Sequence, residues 1–268
     1  MDKDEATPSC SGNRVRNRWG DIKCIESTRV ILRNRPPGRD YIHANYRGPL
    51  TNTINDFWRM IWQQKCVVIV ALTKVGGSKC ELYFPTKANT AVQYSSIKVQ
   101  NEGVRNVEGA YSESRLRLSV DGEPERRTVV HFVYHGWPDK CMPTDSRQFL
   151  RFMDEVNAFH RRYTTLLREA GKWKKTRGPP IVVHCSAGVG RTGTLCSMDI
   201  IMERMRATRQ LPGGPLVSIG QVVSIMRRQR QKAVQRPEQY LFLYMATVQF
   251  ALQEGMTTWD KVDLNKFN

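Results

Sequence analysis

The sequence predicts one α/β domain, a central twisted mixed β-sheet flanked by helices. Three observations carry that reading. The chain has 268 residues, 40 % of them hydrophobic and 9 % aromatic, which is enough apolar material for one large core. The apolar pattern changes along the chain, from alternation between residues 91 and 134 to helical stripes in the second half. No internal repeat or low-complexity linker interrupts it. Residues 1–13 read as a disordered lead-in, 14–254 as the domain and 255–268 as a C-terminal tail.

The elements follow in order. Residues 53–64 read as a helix, with Thr53 and Asp56 as a capping box and Phe57, Trp58, Ile61 and Trp62 as its apolar bulk. Cys66 to Leu72 is an apolar run of buried-strand length. Leu116, Leu118 and Val120 share one strand face, and Val129, His131 and Val133 share another. Gly103, Gly109 and Asp121-Gly122 punctuate these antiparallel strands. Phe149, Phe152, Met153, Val156 and Phe159 form one helical stripe. Ile181 to Val183 is a short strand after Pro179-Pro180. Leu195, Met198, Met202 and Met205 mark the next helix, and a helix near 218–230 starts at Ser218 with Gln221 as its box partner. Leu241, Tyr244, Val248 and Leu252 mark the last.

Composition excludes several classes. Lys plus Arg is 42 against 25 Asp plus Glu, a net charge of +17. A basic surface suits nucleic acid, an acidic membrane face or a phosphorylated protein. The stretch from Arg161 to Arg177 reads as a solvated face, and Arg227, Arg228, Arg230 and Lys232 add a late basic run. No apolar run is long enough to cross a bilayer, and the polar N-terminus lacks the apolar region of a secretory signal. The seven cysteines show no zinc spacing, so no metal is expected, and reduced thiols in the cytoplasm or nucleus are. Most of them read as small buried hydrophobes.

Cys185 stands in a different setting. In Ile181 to Thr194 a strand runs into a loop bearing Gly188 and Gly190, and a helix leaves it. Such a loop turns backbone N–H groups inward, and the helix points its N-terminus at the same spot. The product is an anion cradle. Cys185 lies at its floor, and Arg191 closes it with a planar fork suited to phosphate oxygens. The same field favours thiolate, and Thr192 can add a hydroxyl hydrogen bond to the sulfur. By average residue usage, a chance H-C-x-x-G-x-x-R-[ST]-G match has odds on the order of 10⁻⁵ or less.

With that motif complete in His184 to Gly193, the chain resembles the protein tyrosine phosphatases, in their phosphotyrosine-specific branch. The W-P-D loop is Trp137-Pro138-Asp139, preceded by His131 and Tyr134. The glutamine loop is Val234 to Tyr240, and K-C-x-x-Y-[WF]-P is Lys79 to Pro85. The resemblance covers roughly residues 14–254 and implies the tyrosine phosphatase fold and the roles that follow. Cys185 attacks phosphorus, Asp139 protonates the leaving phenolate and later activates water, and Gln235 positions that water. Arg191 and the N–H groups of Ser186, Ala187, Gly188, Val189, Gly190 and Arg191 hold the equatorial oxygens. Trp19 replaces the family's tyrosine as the wall of the pocket, Asp21 holds the substrate backbone, and Gln239 adds a substrate contact. No cofactor is implied, and the partners are phosphotyrosine-containing proteins.

Two departures stand out. The chain runs directly from Asp40 to Asn45 into Gly48-Pro49-Leu50, where the family has a further strand. Lys74 to Ser78 is short and lacks the glutamate that braces the signature arginine. A slower, less stable enzyme is the expectation. The other readings are a phosphotyrosine-binding pseudophosphatase and a phosphoinositide or RNA 5′-phosphatase. The second lacks loop lysines for a multiply charged head group, and no RNA-binding motif is visible, so nucleic acid is not expected as a partner.

Overall fold

The computed structural model describes residues 13–17, 22, 25, 28–34, 40–42, 48–107, 109–138 and 141–262. Six strands form one mixed sheet: β1 (Val68–Ala71), β2 (Ala91–Tyr94), β3 (Ile97–Val107), β4 (Tyr111–Val120), β5 (Arg126–Tyr134) and β6 (Ile181–His184). Their order across the sheet is β2-β3-β4-β5-β1-β6. β1 runs parallel to both β5 and β6, with all four residues buried, so it reads as an unbroken apolar run and not as alternation. The strands from β2 to β5 are antiparallel. Gly103 sits at a register shift of β3 against β4, and Gly109 and Gly122 take positive φ in the turns.

Helices cover both faces. α1 (Ile54–Gln63) packs Phe57, Trp58 and Ile61 against one face, where Trp58 Nε1 donates to the Tyr83 carbonyl at 2.7 Å. Against the other lie α2 (Ser146–Glu169), α3 (Gly190–Thr208), α4 (Ile219–Gln229) and α5 (Pro237–Gln253). α2 starts on Asp145, whose carboxylate accepts from the N–H groups of Arg147 and Gln148. α4 starts on Ser218, whose hydroxyl accepts from Gln221 N–H. None of the described helices is long and apolar enough to cross a membrane.

Two local expectations are corrected. Thr53 does not cap α1 with its side chain. Its hydroxyl turns back to Leu50, and Asp56 instead takes Arg16 at 2.6 Å, an ion pair that outcompetes a cap. In α5 the buried stripe is Phe242, Leu243, Ala246 and Phe250, while Leu241 is exposed and Tyr244, Val248 and Leu252 are half-buried. That helix is apolar on several faces, so periodicity alone could not choose among them. The two phenylalanines decide it, because Phe242 meets Phe149 and Trp137. The expected lost strand falls on residues outside the described set.

Candidate active site

The site lies where β6 ends and α3 begins. Cys185 follows β6 directly and is buried. Gly188 adopts φ +69°, and its N–H points at the Cys185 sulfur at 3.2 Å. The carbonyls of this loop face outward. Cys185 O accepts from Gly48 N at 2.8 Å, and Val189 O accepts from Val234 N at 3.0 Å and Gly193 N at 3.2 Å. Ala187 O and Gly188 O both accept from the Arg230 guanidinium at 3.2 Å. A trans peptide sets each C=O opposite the next N–H. Turning those carbonyls out therefore turns the N–H groups of Ser186, Gly188, Val189 and Gly190 inward, which is the wiring of an anion cradle.

The surroundings fit a charge held without reorganisation. Arg191 is the second residue of α3 and is 8 % exposed. Burial lowers its pKa from the ordinary value, and the Cys185 charge opposes that. Behind the loop, the fully buried Tyr83 hydroxyl hydrogen-bonds both His131 Nε2 and His184 Nε2. Burial drives His184 down to about 4 and His131 well below its usual range, so both rings are neutral at pH 7. Burial also raises the Tyr83 pKa. The tyrosine of K-C-x-x-Y thus fixes the histidine next to Cys185. Elsewhere, burial pushes the Cys66 and Cys196 thiols up to about 12, as suits inert core cysteines.

Several predicted residues come together here. Gln235 Oε1 lies 3.4 Å from where a Cβ on Gly190 would stand, so the glutamine loop abuts the cradle. Gln239, the expected substrate contact, is only 3 % exposed and also lies against Gly190 of the loop. Its Oε1 accepts from the N–H groups of Gln235 and Arg236, and its Nε2 reaches Cys141 O at 3.5 Å. The Thr192 hydroxyl is buried with no hydrogen-bond partner among the described residues, so the expected bond to the sulfur is not formed; Gly188 N–H supplies one instead. Lys74 to Ser78 closes as a turn through Gly76 and Gly77 N–H to Cys80 O, and no acid stands in it. Asp139, Trp19 and Asp21 lie outside the described residues.

Sequence reasoning missed Gly48 and Arg230. A Cβ on Gly48 would stand 2.7 Å from Cys185 O and 3.0 Å from Cys80 Sγ, so only glycine fits there. Arg230, 2 % exposed, counts in the sequence only among the charges of a basic surface. The signal was its place one helical step past Ile219, Val222, Val223 and Met226, the buried stripe of α4.

A family model described as protein-tyrosine phosphatase matches residues 13–249. The chain belongs to the protein-tyrosine phosphatase family. Among similar phosphatases, the rat tyrosine-protein phosphatase non-receptor type 9 is 37 % identical over 263 residues, covering 91 % of this chain and 43 % of the relative. A Lar-like tyrosine-protein phosphatase of Caenorhabditis elegans is 34 % identical, covering 93 % of this chain and 11 % of the relative. The human non-receptor type 2 phosphatase is 33 % identical, covering 89 % and 57 %. The chain thus spans less than two thirds of each of these phosphatases.

Proposed function

We propose that this chain hydrolyses phosphotyrosine in proteins through a cysteinyl-phosphate intermediate. The observation that carries the reading is the carbonyl-out loop around Cys185, with Gly188 N–H on the sulfur. In the first step Cys185 Sγ attacks phosphorus, and an S–P bond forms as the aryl O–P bond breaks. The electron pair goes to the phenolic oxygen, which takes a proton from Asp139. The inward N–H groups and Arg191 hold the three equatorial oxygens while their charge shifts. In the second step water held by Gln235 attacks phosphorus and gives a proton to the Asp139 carboxylate. The S–P bond breaks, the thiolate returns, and inorganic phosphate leaves. No group outside the chain and water is needed to balance either step.

Preference for phosphotyrosine over phosphoserine is assigned to pocket depth, with Trp19 as the wall and Asp21 holding the peptide backbone. The catalytic unit is taken as residues 14–254, supported by the family match to 13–249 and by the end of α5 at Gln253. A cytoplasmic or nuclear place is inferred from the non-receptor names of two relatives. The test is steady-state turnover of matched phosphotyrosine and phosphoserine peptides, a phosphoinositide and a 5′-phosphorylated RNA. The proposal expects only the first to turn over efficiently. Capture of phosphotyrosine peptide without turnover would identify a binding module instead, and equal kcat/KM for the two peptides would remove the depth argument.

A further inference from the structure

The last turn of α4 touches two loops at once. Arg230 directs its buried guanidinium at the Cys185 loop, donating to Gly188 O through Nε and to Ala187 O through an NH2 nitrogen. One turn earlier, Arg227 directs its guanidinium at the loop that leads into Gln235. Its Nε donates to Ala233 O and its NH2 nitrogen to Val234 O, both at 3.0 Å.

Each contact has a geometric consequence. Ala187 O and Gly188 O are the acceptors whose outward turn aims Gly188 N–H and Val189 N–H inward. Arg230 therefore acts on the donors that meet phosphate oxygens. Val234 is β-branched yet sits at φ +57°, a backbone state such residues rarely adopt. It persists only where its surroundings over-determine it. Here Val234 N–H is held by Val189 O and its carbonyl by Arg227, and the next residue is Gln235. Arg227 therefore acts on the direction in which Gln235 leaves the turn.

We propose that Arg227 and Arg230 are positioning residues that divide the two chemical steps between them. Arg230 holds the Cys185 loop for phosphoryl transfer to sulfur. Arg227 holds the Gln235 loop for the attack of water on the phosphoenzyme. This rests on the reading of Cys185 as nucleophile and Gln235 as the residue that orients water. The two loops also touch directly through Val234 N–H and Val189 O, so each substitution spreads weakly to the other step.

The test is pre-steady-state kinetics of the full chain with a chromogenic aryl phosphate, giving separate rates for aryl alcohol release and phosphoenzyme breakdown. Arg230→Lys keeps charge and bulk but loses the planar fork. It is expected to slow phosphoenzyme formation about 10- to 100-fold and breakdown by less than about threefold. Arg227→Ala, at an exposed position, is expected to do the reverse, so phosphoenzyme accumulates during turnover. Because the ratio of the two rates moves in opposite directions, a loss of folded protein, which scales both alike, cannot mimic the result. If the two variants change both rates in the same proportion, the division of labour is wrong although Cys185 still carries phosphate. If wild type places no phosphoryl group on Cys185, the underlying mechanism fails and this proposal fails with it.

Discussion

The Cys185 loop is tied through four of its own carbonyls, whereas the loop that starts at Trp137 is tied at its two ends, by an indole ring and a backbone bond. Four successive or near-successive carbonyls, of Cys185, Ala187, Gly188 and Val189, are taken by Gly48, Arg230, Val234 and Gly193. At Trp137 the indole ring lies buried, 5.4 Å from Phe149 and 6.2 Å from Phe242, and its N–H closes the loop on Cys141 O at 2.8 Å. Gly136 O takes Thr144 N–H at 3.1 Å, so the base of that loop is pinned as well. The difference fits the chemistry proposed for each loop. Charge developing on phosphate oxygens is stabilised best by donors that need no reorganisation, which requires fixed peptides. The proton donor proposed for the Trp137 loop needs reach to one atom only.

The largest effects test the chemistry of the two loops. Cys185→Ser is expected to lower kcat at least about 10⁴-fold and leave phosphopeptide binding in place, since the hydroxyl keeps the shape but is a far weaker nucleophile. Calorimetric titration with a phosphotyrosine peptide beside a turnover assay checks both halves. Asp139→Asn is expected to lower kcat about 10²-fold or more for a poor leaving group and to remove the basic limb of the kcat/KM profile. A basic limb that survives this change assigns the acid to another residue.

A smaller effect sharpens the comparison of the loops' supports. Gly48→Ala puts a Cβ 2.7 Å from Cys185 O, a backbone atom that cannot step aside without moving the cradle. Gly136→Ala puts one against Gln148 Oε1 and the Tyr134 hydroxyl, the far ends of side chains. We expect Gly48→Ala to cost kcat about tenfold and to lower Tm, and Gly136→Ala to cost less in both. Equal losses measured by turnover and thermal melts would show that the backing of the Cys185 loop is not special.

That backing was only partly legible in the sequence. The Cys185 loop is contiguous, so cysteine, glycines and arginine at fixed spacing point to a chemistry without a fold. Its supports come from residues 48, 83 and 230, distant in the chain; Tyr83 belongs to the K-C-x-x-Y element, but its spacing does not say what it holds. Arg230 lies in a basic run with Arg227, Arg228 and Lys232, and only Arg230 among those four is buried. The sheet and its helices were readable because alternation and helical stripes are strong signals. The register of α5 was not, because a helix apolar all round offers more than one stripe. The Thr53 cap failed because Asp56 had a distant partner in Arg16, a contact made only in the folded chain.

A further expected effect is on stability against pH; the buried histidines behind Cys185 carry it, and burial lowers His135 beside the Trp137 loop in the same direction. His184 in the folded chain titrates near 4, below its ordinary 6.5, and His131 shifts the same way. Between those values the unfolded chain binds more protons than the folded one, so stability falls as pH drops from about 6.5 towards 4. At about 1.4 kcal/mol per pH unit, His184 accounts for up to about 3 kcal/mol. Urea midpoints at pH 7 and pH 5 check this, and His131→Gln is expected to reduce the difference. Tyr83→Phe, which leaves the two ring nitrogens without their shared hydroxyl, is expected to cost about 1–3 kcal/mol at pH 7.

The most direct test of the fixed cradle and its nucleophile is to mix the protein with a phosphotyrosine peptide, quench within milliseconds, and map the modified residue by mass spectrometry of its peptides. The account predicts a single phosphoryl group on the peptide containing Cys185, absent from Cys185→Ser. Turnover of the peptide with no phosphoryl group on Cys185 at any quench time, or with one on another residue, would contradict it.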